Sequence, residues 1–249
     1  MEVHAHTHTP RKKWTHYFWE FLMLFLAVFC GFLAEYQLEH KIEKDREMVY
    51  IKSLLKDLEY DTLRFNRTIN KIEEKLPYYD SVLLLFKNPG AFSNKLPFRF
   101  YIKTNLEQIY QPLSPTLQQL RNSGNLRLLT KKLVLDSIVI YDSRLNGAYR
   151  NQVQYIVDFN KRLIQMQENV FDNTNFNTYL NHLYQDSISE DDTRYDIEFF
   201  TVNKEKINEM ANVYINAKAT DVFYTDLLWG TKNEATKLIA LIKRQYHIK

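Results

Sequence analysis

One apolar segment near the N-terminus, residues 17–37, constrains this chain more than any other feature. Its sequence, YFWEFLMLFLAVFCGFLAEYQ, has an uninterrupted apolar core of 14 residues from Phe21 to Ala34. A helix needs about 20 apolar residues to cross the hydrocarbon core of a bilayer. The segment reaches that length once its terminal aromatic residues are counted together with Glu20 and Glu35. Both glutamates lie near the ends, where a side chain can lean toward the interface. The segment therefore predicts a transmembrane helix.

A cleaved signal peptide is the main alternative for this segment. Signal peptides have an apolar core of about 7–15 residues followed by a cleavage site of the small-x-small type. Here the core is followed by Phe-Leu-Ala-Glu-Tyr at residues 32–36, which is a poor cleavage site. The sequence favours an uncleaved single span.

The flanking charges predict the orientation of the span. Arg11, Lys12 and Lys13 precede it, and three basic residues follow it at 41, 44 and 46. Counts of basic residues alone are therefore close to a tie, since acidic residues contribute little to this rule. A short basic tail beside the membrane favours a cytoplasmic N-terminus. We therefore expect a cytoplasmic tail over 1–16, a transmembrane helix over 17–37 and a periplasmic domain over 38–249, in the inner membrane of a bacterium.

Composition predicts long elements and excludes one class of function. The chain has 5 glycines and 6 prolines in 249 residues, so turns must be few. Its 33 basic and 30 acidic residues nearly balance, which argues against nucleic acid as a partner. The single cysteine, Cys30, lies inside the apolar segment, so no intramolecular disulfide can form.

A heptad-like apolar pattern follows the span. Apolar residues at alternating spacings of four and three predict a helix with a coiled-coil-like stripe. Pro77 is expected to kink or end that helix. The stripe consists of Ile51, Leu55, Leu58, Thr62, Phe65, Ile69, Ile72 and Leu76.

Two further long helices are expected in the rest of the chain. One starts near Thr130 and extends to about residue 170, and the other runs over 203–229, where Gly230 stops it and a capping box at 231–234 starts a new helix. Residues 88–113 look irregular, with a short extended piece at 98–102. Shorter helices are expected at 116–121, after Ser114 and Pro115, and at 178–185. The predicted fold is all-α: an N-terminal transmembrane helix that continues into an elongated antiparallel helical bundle.

Three stretches carry a resemblance to a known group of proteins. They are Trp19 to Glu35, the Leu-Leu-Lys-Asp-Leu sequence at 54–58, and Leu-Arg-Asn-Ser-Gly-Asn-Leu-Arg-Leu-Leu at 120–129 followed by Ile-Tyr-Asp at 140–142. In these stretches and in its layout the chain resembles uncharacterised single-span helical membrane proteins of Bacteroidota. The N-terminal tail, with its histidines, is longer than in those proteins. The resemblance implies location and fold, and it implies no activity.

Candidate site residues are few. His4, His6 and His8 alternate along the tail and are weak candidates for binding Zn²⁺ or Ni²⁺, against the alternative of a solvated tail without a specific role. Glu20, Glu35 and Ile51 are the candidates for contact with a membrane partner. Glu20 either leans to the interface, paired with Lys13 or His16, or contacts another membrane subunit. No phosphate-binding loop, metal-ligand spacing or nucleophile motif is recognisable, so neither a cofactor nor catalysis is expected.

The leading functional hypothesis is a membrane-anchored, non-enzymatic interaction or scaffold protein, in or beside a cell-envelope complex. Its partners would be the lipid bilayer and, through the anchor region, another membrane protein or a second copy of the chain. The alternative is an extracytoplasmic ligand-sensing bundle that signals through a partner. A buried polar cavity would favour the sensor, and an exposed apolar stripe would favour the interaction protein.

Overall fold

A computed structural model describes most of the chain. The described residues are 14–88, 95–105, 108–110, 114–182, 189, 192–199 and 203–248, apart from the side chains of 147–149 and 151–152. Of the described residues, 87% are helical, so the all-α class is confirmed. By contacts the chain divides into two compact units, residues 1–50 and 51–249. The predicted boundaries at 16/17 and 37/38 stay predictions.

The first helix, α1, spans Trp14–Lys87 and contains the apolar N-terminal segment. The described residues include one helix long and apolar enough to cross a bilayer, and it is this one. Of the two outcomes expected at Pro77, an end of the helix does not occur, because α1 continues for ten residues beyond it, and a kink stays a prediction. Proline removes one backbone hydrogen bond and costs about 3 kcal/mol inside a helix. Burial of Tyr79, Val82 and Leu85 just beyond Pro77 offsets that cost.

Six further α-helices and three short strands follow α1 in the described residues. The helices are α2 (Phe98–Asn105), α3 (Pro115–Asn122), α4 (Lys132–Ser143), α5 (Tyr149–Glu168), α6 (Thr174–His182) and α7 (Lys204–Tyr246). A π-helical turn, Arg144–Ala148, joins α4 to α5, so the predicted second long helix is confirmed as one helical run. Short 3₁₀ helices lie at Asn125–Leu128 and Thr193–Tyr195.

A small antiparallel sheet interrupts the helical architecture. Strands β1 (Lys95–Leu96), β2 (Phe171–Asp172) and β3 (Ile197–Phe199) pair in the order β1-β3-β2. Lys95 lies opposite Glu198, and Phe171 lies opposite Phe199. Strands of two or three residues are too short to be predicted from periodicity, which needs a longer window.

The extended piece expected at 98–102 is wrong, since these residues open α2. Phe98, Tyr101 and Thr104 are buried at a spacing of three, which is helical. The backbone N–H of Phe98 donates to Oδ1 of Asp196 at 2.9 Å, so the carboxylate that accepts from the first turn lies far away in sequence. A partner this distant in sequence cannot be identified from the local pattern of residues.

The break expected at Gly230 is also wrong, because α7 runs through it. Glycine inside a helix costs about 1 kcal/mol relative to alanine. The buried side chains of Leu228, Thr231 and Ala235 hold the helix on both sides of the glycine. A Cβ atom at position 230 would lie 2.9 Å from Nη1 of Arg144, so the glycine leaves space for that guanidinium group.

The second unit, residues 51–249, contains two hydrophobic clusters. The first cluster joins the α1 stripe from Ile51 to Ile72 with α4 and with the later part of α7. The second cluster joins α1 beyond Tyr79 with the sheet, α5 and the earlier part of α7. Two surface ion pairs connect α1 to α7: Glu59 with Lys243 at 3.0 Å and Asp80 with Lys218 at 2.6 Å.

Candidate functional site

The apolar surface of α1 in the first unit is a candidate interaction surface. Phe21, Leu24, Val28 and Phe32 each expose more than 60% of their surface. Contiguous exposed apolar surface on this scale marks a membrane or protein contact, because water solvates it poorly. The apolar segment therefore has no covering element within the described residues.

The predicted partner-contact residues occupy two different environments. In the first unit Glu20 and Glu35 are exposed, and Oε1 of Glu20 lies 3.2 Å from Nε2 of His16, one turn earlier in α1. In the second unit Ile51 is fully buried in the first hydrophobic cluster. The role of these three residues in partner contact stays a prediction.

The predicted metal ligands lie outside the described residues, since His4, His6 and His8 fall in 1–13. Within the part of the chain that the structure describes, no group of three or more His, Cys, Asp or Glu side chains is placed to hold a metal ion. The tail histidines therefore stay weak candidates.

A buried carboxylate, Asp61, lies on the core face of α1. It is 0% exposed, and its Oδ2 accepts hydrogen bonds from the hydroxyls of Ser114 at 2.8 Å and Tyr141 at 3.3 Å. Burial raises the pKa of the Asp61 carboxyl, while the nearby Tyr110 hydroxyl, the hydrogen bonds from Ser114 and Tyr141 and the charge of Arg64 oppose the rise. Oδ1 of Asp61 has no hydrogen-bond partner within the described structure. This group ties α1 to α4 and to Ser114, the residue that precedes α3.

A second buried polar group connects α1 to α7. Nζ of Lys75 lies 3.0 Å from Oδ2 of Asp221, and the hydroxyl of Tyr79 donates to the same oxygen at 2.9 Å. The side chains of Lys75 and Asp221 are only 6% and 11% exposed. Burial and the adjacent carboxylate raise the pKa of Tyr79, so the phenol stays protonated and acts as a donor.

The apolar periodicity of the sequence did not reveal these two buried carboxylates. It placed Thr62 on the α1 stripe, whereas Asp61 is the residue that faces the core and Thr62 is half-buried. A signal was present, because Asp61 lies three residues after Leu58 and four before Phe65, which is the spacing of the buried face. Asp221 likewise lies four residues after Ala217 and three before Tyr224. A pattern that considers hydrophobicity alone does not identify polar residues on the buried face of a helix.

A half-open groove of about 420 Å³ lies beside the Lys75–Asp221 pair. Lysines from two elements line it, together with one acidic and two uncharged polar side chains. Its size falls within the range of small-molecule sites, about 300–1,000 Å³. The lining residues are Lys71, Glu74, Lys75, Tyr78, Lys103 and Gln108.

Comparisons with protein-family models, with curated proteins and with solved structures find no match to this chain.

Proposed function

We propose that this chain is a single-span protein of the bacterial inner membrane that acts as a non-enzymatic interaction or scaffold protein in or beside a cell-envelope complex. In this proposal residues 17–37 cross the bilayer, the N-terminus is cytoplasmic and 38–249 form a periplasmic domain. Membership among the single-span helical proteins of Bacteroidota is part of the same proposal and rests on the resemblance in residues 19–35, 54–58 and 120–142. The observation that carries the proposal is the exposed apolar surface of α1.

The proposal treats the second unit as an elongated antiparallel helical bundle. Its support is the order of the ion pairs between α1 and α7. Glu59, early in the α1 part of this unit, pairs with Lys243, near the end of α7, whereas Asp80 pairs with the earlier Lys218. Two helices that pair in reversed order run in opposite directions.

Exposed apolar residues on α7 favour a partner-binding role for this unit. Ile215, Val222 and Trp229 are exposed and lie seven residues apart, so they occupy one face of the helix. Two buried polar groups and two hydrophobic clusters fill the interior. This combination is what an interaction protein would show, rather than a sensor with an enclosed polar cavity.

A membrane partner is proposed to contact the face of α1 that carries Glu20. Ala27 lies seven residues after Glu20, and Gly31 four residues later, so all three share one face. Small residues allow close approach of a neighbouring helix, and a carboxylate in an apolar segment is stabilised by a polar group on that neighbour. The neighbour is either another membrane protein or a second copy of this chain.

Membrane location and orientation are tested separately. We expect the protein to stay in the membrane pellet after alkaline carbonate extraction, and release into the supernatant would contradict the span. A C-terminal alkaline phosphatase fusion after Lys249 should be active, because the enzyme matures only outside the cytoplasm. An inactive phosphatase fusion together with a fluorescent cytoplasmic reporter would reverse the orientation.

Partner contact is tested by crosslinking through Cys30, which is exposed in the structure. We expect a thiol crosslinker in intact membranes to capture a partner or a second copy, and Cys30→Ser to abolish capture. Glu20→Gln should reduce capture, whereas Glu39→Gln, on the same helix beyond the apolar segment, should leave it unchanged. Equal capture by the two glutamine variants would remove Glu20 from the contact, and no capture by the wild-type chain would oppose an anchor partner.

A second candidate function, ligand sensing, is favoured by one observation, the lysine-lined groove between α1 and α2.

A further inference from the structure

We propose that one exposed face of α1 binds a partner protein that presents an acidic helix with apolar side chains at its centre. This basic face consists of Lys52, Lys56, Tyr60, Leu63 and Arg67. It belongs to the second unit of the chain and lies outside the apolar segment. The inference is therefore independent of membrane location and of the proposed contact through the anchor.

The five residues of the basic face lie on one side of the helix. They follow one another at spacings of four, four, three and four, and each is exposed. The first and the last are 15 residues apart, so the face is about 22 Å long. Neighbouring helices contact α1 at its two edges. Oδ2 of Asp57 accepts the backbone N–H of Thr116 in α3 at 2.9 Å, and Glu59 pairs with Lys243 of α7 at 3.0 Å. Both neighbours leave the basic face uncovered.

The basic face carries positive charge that the chain does not neutralise. Within the described residues, Lys52, Lys56 and Arg67 take part in no ion pair. Of the acids at its edges, Glu59 is engaged by α7, so only Asp57 opposes these three cations. Lys52 and Lys56 also lie four residues apart, a spacing at which like charges destabilise a helix. Carboxylates of a partner would relieve this repulsion.

Two large side chains occupy the middle of the basic face. Tyr60 and Leu63 are 53% and 57% exposed. The guanidinium carbon of Arg64 lies 5.8 Å from the ring centroid of Tyr60 and 5.3 Å from that of the buried Tyr110, and the charge of Arg64 is offset by the nearby Asp61 carboxyl. Arg64 therefore holds the Tyr60 ring in place, so this ring loses little freedom on binding. An aromatic anchor at the centre of a contact surface is typical of a binding hot spot.

These features specify the partner. An apolar centre between cations is complementary to a helix of about 15 residues with apolar side chains in its middle and carboxylates toward both ends. Nucleic acid fits poorly, because the chain has 33 basic and 30 acidic residues and lacks the large basic excess of such binders. A bilayer surface fits poorly too, because a helix that lies on a membrane buries a whole apolar face, whereas this face offers two large apolar side chains.

The test replaces Leu63 by the photocrosslinking amino acid p-benzoylphenylalanine in the full chain, in intact cells, and identifies the crosslinked peptide by mass spectrometry. We expect a protein adduct whose crosslinked segment has more acidic than basic residues and apolar residues at helical spacing. The same replacement of Leu84 is the control. Leu84 is 60% exposed on the same helix but lies outside the basic face, so it should not capture this segment.

Removing the charges tests the electrostatic part of the proposal. The triple variant Lys52→Gln, Lys56→Gln, Arg67→Gln should lower the yield of the adduct about tenfold, since three exposed ion pairs with the partner are lost. All three side chains are exposed, so the variant should fold normally, which circular dichroism checks. The control Lys204→Gln, Lys206→Gln, with exposed lysines at the start of α7, should leave the yield unchanged.

Four results would overturn the proposal. They are the absence of an adduct, an adduct with lipid or nucleic acid, a captured protein segment without an acidic excess, and equal yields from the triple variant and the wild type. None of them bears on carbonate extraction or on crosslinking through Cys30, so the proposed function is tested separately.

Discussion

Replacing Asp221 by asparagine should destabilise the second unit strongly. In the structure Oδ2 of Asp221 lies 3.0 Å from the Lys75 ammonium and accepts the Tyr79 hydroxyl at 2.9 Å. Asp221→Asn preserves the size of the side chain and removes its charge. The Lys75 side chain is only 6% exposed, so its ammonium group would stay buried without a counter-charge.

The expected magnitude follows from that burial. Breaking a buried ion pair by removing one partner costs about 3–5 kcal/mol, because the remaining charge is desolvated and unpaired. For a domain of about 150–250 residues each kcal/mol shifts the melting temperature by about 2–4 °C, so a fall on the order of 10 °C is expected. The assay is thermal unfolding of the full chain in detergent, followed by circular dichroism at 222 nm.

Asp80→Asn is the matched control for this prediction. Asp80 also pairs with a lysine of α7, Lys218, at 2.6 Å, but the Asp80 side chain is 62% exposed. An exposed pair contributes about 0.2–1 kcal/mol, since water screens it and both side chains lose freedom. If the two asparagine variants lose equal stability, the reasoning from burial is refuted.

A double variant tests the mechanism of the Asp221 effect. Lys75→Met with Asp221→Leu removes both charges together, and buried pairs replaced in this way are often neutral or more stable. We expect the double variant to be more stable than Asp221→Asn, with a residual loss because the Tyr79 hydroxyl loses its acceptor. A double variant as unstable as the sum of its single variants would show that the two charges do not interact.

Three further predictions concern stability. Phe65→Asp should lower the free energy of unfolding in urea by at least about 3–5 kcal/mol, the cost of deleting a buried phenylalanine, because Phe65 is fully buried and stacks on Tyr110 with ring centroids 4.1 Å apart. Leu63 is 57% exposed, so Leu63→Asp should change stability by less than about 0.5 kcal/mol. Equal losses in the two variants would show that the stripe is not core. Burial raises the pKa of Asp61 above 3.8, so the folded chain keeps this proton to higher pH than the unfolded chain does. The stability of the wild type relative to Asp61→Asn should therefore fall as pH rises from 3.8 through the raised pKa. A stability difference that is constant over that range would contradict the assignment. Gly124 has φ of +68°, so Gly124→Ala should cost about 1–2 kcal/mol in the same assay although space around it is open, and an unchanged midpoint would show that the turn relaxes.

The local sequence was sufficient for the elements that depend on long apolar periodicity. The stripe from Ile51 to Ile72 predicted a core helix, and its buried members confirm it. Gly124 adopts the left-handed conformation that commonly ends a helix, and Asn203 caps α7 by accepting from the backbone N–H groups of residues 205 and 206. These signals are local because propensity, capping and amphipathic spacing act within about two turns of a helix.

The failures of prediction share one physical cause. Pro77 and Gly230 carry local costs of about 3 and 1 kcal/mol, and burial of neighbouring side chains exceeds both. Phe98 begins a helix because a carboxylate from residue 196 accepts its N–H group. In each case a contact distant in sequence outweighed a local preference, and no local pattern contains that contact.

The candidate sites likewise divide into one that the sequence predicts and others that only the tertiary structure reveals. The sequence by itself determined the apolar segment that carries the proposed anchor, because hydrophobicity and length are properties of contiguous residues. Only the tertiary structure placed Lys75 against Asp221, gathered the hydroxyls of Ser114 and Tyr141 around Asp61 and brought Lys103 beside Lys71 and Lys75. These groupings join residues dozens to more than a hundred positions apart, and only packing of the hydrophobic clusters brings such residues within hydrogen-bonding distance or into one groove.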